Sequence, residues 1–319
     1  MRDKLSQVRE VYSKEKCEEV TKYVSARSKI KDPGITEKYY DLVTDFFEFG
    51  WGKSFHFAPQ SKTETMREAI LRHELKIADA LKLKPGMRVL DVGCGIAGPM
   101  KTIAEKSGAT IVGLNINSYQ IKKAQEYIQK SGLEKQCSFH QGNFMQLDLP
   151  EASFDAVYAI ESTCHAPDKS RCFKEIFRVL KPGSFFAGYE YGLLPNFDPK
   201  NEEHVQIMED LEHGGGLQKI VPIAEVKKAL QDAGFKIITI QDDCTEGMSW
   251  TLPLEKGMRS SKAGRAFTNF FVRALEVLKI APKGSTAVSS FLNMGADAFV
   301  EAGKRKLFTA NLFFLVQKP

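Results

Sequence analysis

The stretch "MRVLDVGCGIAGP", residues 87–99, decides how this chain is read. Its first half is a short apolar run suited to a buried strand, and its second half is a glycine turn opening into a helix. Gly93, Gly95 and Gly98 fit the Gly-x-Gly-x-x-Gly spacing of a dinucleotide turn. Glycines let backbone approach a ligand closely, and the following helix N-terminus offers N–H groups. Asp91, just before the glycines, changes the expected ligand: a carboxylate repels a pyrophosphate and attracts an ammonium. That favours a cofactor bearing an amino acid over a nicotinamide dinucleotide.

Working outward, apolar strands alternate with amphipathic helices. Further strands are "ATIVGLNI" (109–116), "CSFHQGN" (137–143), "SFDAVYAIE" (153–161), "KPGSFFAGYEYG" (181–192), "GFKIITIQ" (234–241) and "NLFFLVQK" (311–318). Helices are expected over 118–132, 169–180 and 223–233, and upstream over 36–50 and 63–82. The alternation predicts an α/β, Rossmann-like doubly wound sheet. Four segments result: an N-terminal arm and aromatic cap (1–70, its first thirty residues a polar helix or loose arm), a cofactor-binding core (71–241), an insert (242–310) and a last core strand (311–319). In the insert, Ala266, Phe267, Phe270, Phe271, Ala274, Leu275 and Leu278 recur at helical spacing. Its flanking strands open on the face where such sheets bind ligands, as does segment 191–222, so the insert is expected to roof the site.

Successive strand ends carry candidate ligand groups. Asn115 lies about twenty residues beyond the glycine turn, where a ribose-binding group belongs. Asn143 and Phe144 end the third strand, where an adenine could be bonded and flanked. Each alone could equally be a turn residue; their recurrence carries the argument. Glu161 follows the fourth strand directly, although a strand-end salt bridge would also explain it. Cys164 beside His165 invites a nucleophile or metal reading, but no acidic or cysteine cluster completes a metal set.

Composition limits the alternatives. The 319 residues are 43% hydrophobic and 27% charged, with net charge +5, as in a soluble globular protein. Basic residues are scattered, leaving no nucleic-acid footprint. Six cysteines without a CxxC pair suggest a reducing compartment. The polar first thirty residues do not read as a secretory signal, and no apolar window approaches the roughly eighteen residues of a membrane span.

One stretch departs from average composition. In "YYDLVTDFFEFGWGKSFHFA" (39–58), eight of the first nineteen residues are aromatic, against 10% chain-wide. Asp41, Asp45 and Glu48 are threaded among them. A plain core helix could account for part of this, but aromatics also surround Gly50 and Gly52, where a loop is expected.

"VLDVGCGIAGP", "VGLNINSYQI", "GNFMQLDLP" and "RVLKPGSFFAGYE" resemble the cofactor segments of class I methyltransferases using S-adenosylmethionine. The aromatic stretch, "YAIESTCHAPD" and "AGKRKLFTANLFFLVQKP" resemble sterol 24-C-methyltransferases specifically. The resemblance covers about residues 36–319. It implies a seven-stranded sheet with an antiparallel last strand, a helical cap, a sterol-methyltransferase region, and methylation of a sterol side-chain double bond through a carbocation. "YDLVTDFF" also resembles the start of cyclopropane fatty-acid synthases, in which residues matching Tyr40 and Gln120 touch the cofactor.

The implied cofactor set is Tyr40, Asp91, Gly93, Gly95, Asn115, Gln120, Asn143, Phe144 and Ile160. The implied catalytic set is Tyr40, Glu48, Trp51, Glu161 and His165, and the substrate set Phe47, Phe49, Trp51 and Glu212, with no metal. Asn115 and Asn143 stand where many class I enzymes carry acids. "EHGGGLQKI" (212–220) departs from the usual "ELGDGIPK" at Gly215 and Gln218. Expected partners are a sterol and, by peripheral contact, a membrane on the cytoplasmic side of the endoplasmic reticulum; self-association is left open. Rival readings are methylation of a hydroxyl or amine, fatty-acyl cyclopropane formation, and a lipid-binding protein without catalysis.

Overall fold

The computed structural model describes residues 35–256, 261–281 and 283–319. The arm expected over 1–30 lies outside them. The chain divides into two compact units, one of Lys53–Pro195, Gln218–Trp250 and Phe308–Pro319, the other of Met1–Gly52, Asn196–Leu217 and Thr251–Leu307.

The larger unit is built on a seven-stranded sheet. In chain order it contains β1 (Gln60–Ser61), α2 (Met66–Ala80), β2 (Arg88–Val92), α3 (Gly98–Ser107), β3 (Thr110–Asn115), α4 (Ser118–Lys130), β4 (Cys137–Gln141), β5 (Phe154–Ile160), α5 (Lys169–Val179), β6 (Leu180–Leu193), α7 (Ile223–Asp232), β7 (Lys236–Asp242), β8 (Met248–Ser249) and β9 (Phe308–Gln317). The sheet order is β4-β3-β2-β5-β6-β9-β7, and β1 and β8 pair separately. β9 runs antiparallel to both its neighbours, β6 and β7, whereas every pairing among β2–β6 is parallel. The chain winds outward from β2 through β3 to β4, then resumes on the other side at β5. This makes the end of β2 the switch point where open sheets bind ligands.

Local chemistry sets the helix boundaries. α2 starts with a capping box of Thr65 and Glu68, and α4 and α5 start on Asn117 and Asp168, whose side chains accept from backbone N–H groups. α5 buries Cys172, Phe173, Ile176 and Val179, one stripe at helical spacing. Each of the larger side chains there stabilises the fold by about 1.5–3 kcal/mol. Alternate residues of β2 face opposite sides: Leu90 and Val92 join one core cluster, Val89 the other. β9 begins at Phe308, three residues before the expected strand, extending its ladder with β6 to Leu193.

The smaller unit holds α1 (Ile35–Gly50), α6 (Glu202–Gly214), α8 (Leu252–Lys256), α9 (Lys262–Val277) and α10 (Ser285–Lys304). α6 and α10 approach closely at Gly214 and Gly295: a Cβ built on Gly214 would lie 2.3 Å from the Gly295 Cα. Tyr39 and Val43 of α1 pack with Val288 and Phe291 of α10, and the Tyr39 hydroxyl donates to Gly214 O at 2.7 Å.

Candidate active site

The glycine turn after β2 is drawn tightly onto the sheet. Gly93 has φ +82° and would place a Cβ 2.3 Å from the Ser162 Cβ. The Ser162 hydroxyl in turn donates to Val92 O. Gly95, at φ +54°, has nothing within 4 Å of its Cβ position. A side chain at Gly93 is therefore excluded by Ser162, whereas Gly95 has open space beside it.

Asp91 and Tyr158 are register partners across β2 and β5, and the Tyr158 hydroxyl donates to Asp91 Oδ2 at 2.8 Å. Asp91 is buried, and that burial pushes its carboxyl up to about 7 despite the Tyr158 hydrogen bond. An ammonium would relieve the cost of ionising it. A buried acid near the end of β2, two residues before the glycine turn, thus fits a cofactor carrying an amino-acid moiety.

Asn115 and Gln120 come together. Asn115 Nδ2 donates to Gln120 Oε1 at 2.8 Å and to Gly95 O at 3.2 Å, and its Oδ1 accepts from Asn117 N–H. In this arrangement Asn115 braces the turn and fixes Gln120, in addition to any role toward a ribose. Asn143 and Phe144 lie just beyond β4, which ends at Gln141, not at their own positions. Asn143 Oδ1 accepts from Met145 N–H, and Phe144 packs against the core. Ile160 is the last residue of β5.

Glu161 follows at φ +51°, a left-handed conformation costing a non-glycine residue about 1–3 kcal/mol. It is held there from several sides. Its N–H donates to Tyr189 O, and its carbonyl accepts from the Cys164 thiol. Its two carboxyl oxygens accept from Phe57 N–H and the Tyr191 hydroxyl, both at 2.8 Å. Burial nevertheless pushes the carboxyl up to about 8, against the opposing His56 charge and these hydrogen bonds. His165 is buried in the 3-10 turn Thr163–His165 that follows. That turn is anchored by Thr163 Oγ1 donating to buried Glu190, itself paired with Lys169. Burial pushes the Cys164 thiol well up, so it is a poor nucleophile.

A charged pair beside Glu161 was not legible from the sequence. His56 Nδ1 lies 2.9 Å from Phe57 O, and Nε2 lies 3.2 Å from Glu74 Oε1. A carbonyl and a carboxylate as neighbours favour donation by both ring nitrogens, the imidazolium form. Burial alone would lower its pKa, but the Glu74 bond and the charges of Glu74 and Glu161 raise it. Burial likewise works to raise the Glu74 carboxyl; the His56 bond and charge outweigh it and hold the carboxyl low. Ser54 donates to the same Glu74 oxygen.

His73 stacks between His56 and Tyr189. Burial, then repulsion from His56, pushes it well below the usual histidine range, so it is neutral. His56, His73 and Glu161 bring ligand atoms within 4.8 Å of one another. In this arrangement Glu74 and the Phe57 carbonyl already engage both His56 ring nitrogens, and Phe57 N–H and Tyr191 engage both Glu161 oxygens.

The smaller unit carries the remaining candidates. Tyr40 and Phe47 flank Tyr39, at ring-centroid distances of 5.3 and 6.3 Å. Trp51 is half-buried and held by its N–H on Phe47 O at 2.7 Å. Glu48 is half-buried near the end of α1, and Glu212 is half-buried in the last turn of α6. The backbone of Phe49 lies in α1; its side chain falls outside the description. Gly215, one of the departures noted above, caps α6. The aromatic stretch is thus divided: Tyr39–Gly52 belong to this unit, and Lys53–Ala58 to the larger one.

A parallel sheet with an antiparallel last strand, a glycine turn at the switch point and an acid beneath it define a class I methyltransferase. Residues 90–188 match the family described as "Methyltransferase domain", and residues 256–319 the family described as "Sterol methyltransferase C-terminal". The chain is 47% identical to the cycloartenol-C-24-methyltransferase of Arabidopsis thaliana, over 89% of this chain and 87% of that one. It is 42% identical to the sterol 24-C-methyltransferase of Yarrowia lipolytica, over 92% and 84%. The chain belongs to the sterol methyltransferase family. Among solved structures, the cyclopropane synthase MmaA2 of Mycobacterium tuberculosis superposes with TM-score 0.72 at 16% identity, covering 89% of this chain and 98% of that one. The [4+2]-cyclase SpnF superposes with TM-score 0.69 at 22% identity, covering 89% and 94%. These two likenesses are of fold.

Proposed function

We propose that this protein transfers a methyl group from S-adenosylmethionine to the side-chain double bond, at C24, of a sterol. The observation that carries the reading is the 47% identity, over 89% of the chain, to a cycloartenol-C-24-methyltransferase. The match of residues 256–319 to the family described as "Sterol methyltransferase C-terminal" supports a role for the insert 242–310 in substrate recognition.

S-adenosylmethionine, when bound, supplies an electrophilic methyl group. Asp91 would hold its ammonium, Gly93 and Gly95 would let the backbone approach it, and Tyr40, Asn115, Gln120, Asn143, Phe144 and Ile160 are the further residues assigned to it. An alkene needs no base to become a nucleophile. Its attack would form a C–C bond to the methyl carbon as the methyl–sulfur bond breaks and the thioether S-adenosylhomocysteine leaves, placing a cation on the sterol side chain; a hydride shift and loss of a proton would then restore a double bond.

The chain has two tasks in this sequence. The first is to stabilise the cation without capturing it. Aromatic faces do so at about 0.5–2 kcal/mol each when desolvated, and Tyr40, Phe47, Phe49 and Trp51 are assigned this role with Glu48. The second is to accept the proton. Glu161 is assigned as the acceptor, because burial gives its carboxylate a high proton affinity and Tyr191 and Phe57 N–H fix both oxygens. His165 and Glu212 are assigned to lining and substrate orientation.

Because sterols reside in bilayers, peripheral contact with the cytoplasmic face of the endoplasmic reticulum is part of the proposal. No helix among the described residues is long and apolar enough to cross a membrane. Incubation with radiolabelled cofactor and a panel of sterols, phospholipids and phenols tests the reading. The expected product is a sterol methylated on its side chain. Label in a cyclopropane-bearing acyl chain or a methylated phenol would overturn it.

A further inference from the structure

Helix α9 is turned inside out. Of the eight large apolar side chains exposed among the described residues, six lie in or just after it: Phe267, Phe270, Phe271, Val277, Leu278 and Ile280, each more than half exposed. Positions 267, 270, 271, 274 and 278 follow the i, i+3, i+4, i+7, i+11 spacing of one helix stripe. That stripe would ordinarily be the core face. Here the buried residues of α9 are Arg265 and Val272, and Arg265 is paired inward with Asp297 of α10. The residues turned to solvent are the aromatic ones.

The charges around the stripe are of one sign. Lys262, Arg273, Lys279 and Lys283 are exposed. The sole acid among the described residues of this segment, Glu276, is engaged by Gly284 N–H, Thr286 N–H and the Thr286 hydroxyl. Phenylalanine and leucine on one face with lysine and arginine around it is the composition of a helix that lies in a membrane interface. A second copy of the chain fits poorly. Symmetric pairing through this stripe sets each basic group against its own copy or a like neighbour.

We infer that the apolar stripe of α9, with its basic surround, is a docking surface for an anionic lipid bilayer. The inference rests on the peripheral contact proposed above and identifies the surface that makes it. Phe267, Phe270 and Phe271 would enter the acyl boundary while Arg273, Lys279 and Lys283 meet acidic headgroups.

The test compares the parent with the triple variant Phe267→Ser/Phe270→Ser/Phe271→Ser, and with Arg273→Glu/Lys279→Glu. Each is sedimented with vesicles of phosphatidylcholine alone or with phosphatidylserine added, and assayed on sterol in vesicles and on sterol carried by cyclodextrin. The parent should sediment with the anionic vesicles and be released by salt. The serine variant, with an unchanged melting temperature, should bind at least about tenfold more weakly and lose turnover on vesicle sterol alone. The charge variant should lose the preference for phosphatidylserine. Unchanged vesicle binding by both variants overturns the inference, as does conversion of an oligomeric parent to monomer by the serine variant, which would make the face a subunit contact. No turnover with either sterol form, alongside vesicle binding that the variants abolish, would remove the sterol reading and leave the bilayer surface standing.

Discussion

His56 Nε2 lies 3.2 Å from Glu74 Oε1, and both side chains are only 2% exposed. A charged pair is therefore held without solvent, and its stability depends on both partners. Glu74→Gln leaves a buried cation without its counter-charge, a change that typically costs about 3–5 kcal/mol. His56→Gln combined with Glu74→Gln should cost less than the sum of the single changes. Urea unfolding of the three variants measures this; strict additivity would mean the two groups are not coupled.

The same pair acts on Glu161. The His56 charge pulls the Glu161 carboxyl down, against burial. Replacing His56 by Asn removes that pull, so the acidic limb of the rate profile, expected near pH 8 in the parent, should move to higher pH. A limb unmoved in the folded variant would show that His56 does not tune the base.

Glu161→Gln should leave cofactor binding intact and reduce turnover by about 10²–10⁴-fold, the usual weight of a general base. It should also change how stability depends on pH. The folded carboxyl, up at about 8 from 4.5, holds its proton more tightly than the unfolded one. Its contribution is thus fully present below about 4.5 and is lost as pH rises to about 8. The Gln variant should lose less stability over that window, as read from melting temperatures between pH 5 and 8.

Asp91 titrates in the same direction, up to about 7 from 3.8. Cofactor affinity should weaken as pH falls below about 7, because a protonated Asp91 no longer attracts an ammonium. Asp91→Asn should bind weakly at every pH. Gly95→Ala should fold, at a cost of roughly 1–2 kcal/mol for its left-handed backbone, and still bind poorly. Gly93→Val should lose both binding and stability, since its side chain meets Ser162. Calorimetry alongside thermal melts separates these outcomes.

The seven strands of the main sheet were legible as short apolar or alternating runs closed by turns, whereas β1 and β8, two residues each, were too short to read. Asp91, Gly95 and Asn115 were legible because they sit at fixed offsets from such runs. Glu161 was legible as the residue after a strand, but its partners His56, Glu74 and Tyr191 were not, since they come from separate places along the chain and stand in no local pattern with it. A signal was present for His56, at the end of the aromatic stretch, but periodicity says nothing about what a lone histidine faces. Nor could periodicity give the sense of α9: an apolar stripe reads alike whether it meets a core or solvent. Its distinguishing mark was Arg265, whose burial depends on Asp297, thirty-two residues away.

Trp51 offers the most direct test of how the cation is held. It stands one turn beyond Phe47, in the same unit as Tyr40, and the assigned role is that of an aromatic face toward positive charge. Trp51→Leu keeps bulk and apolarity but removes the ring quadrupole. Loss of about 1–2 kcal/mol acting mainly in the transition state should slow turnover roughly five- to thirty-fold and leave substrate binding nearly unchanged. Trp51→Phe should lose less. A poorly held cation should also partition differently, toward an isomeric alkene or a water-captured alcohol. If Trp51 is merely packing, the loss will follow the folded fraction and the product ratio will stay fixed. Turnover per folded enzyme, with products identified by mass spectrometry, decides between the two. A Leu variant equal to the parent in both rate and products would leave Trp51 no part in holding the cation.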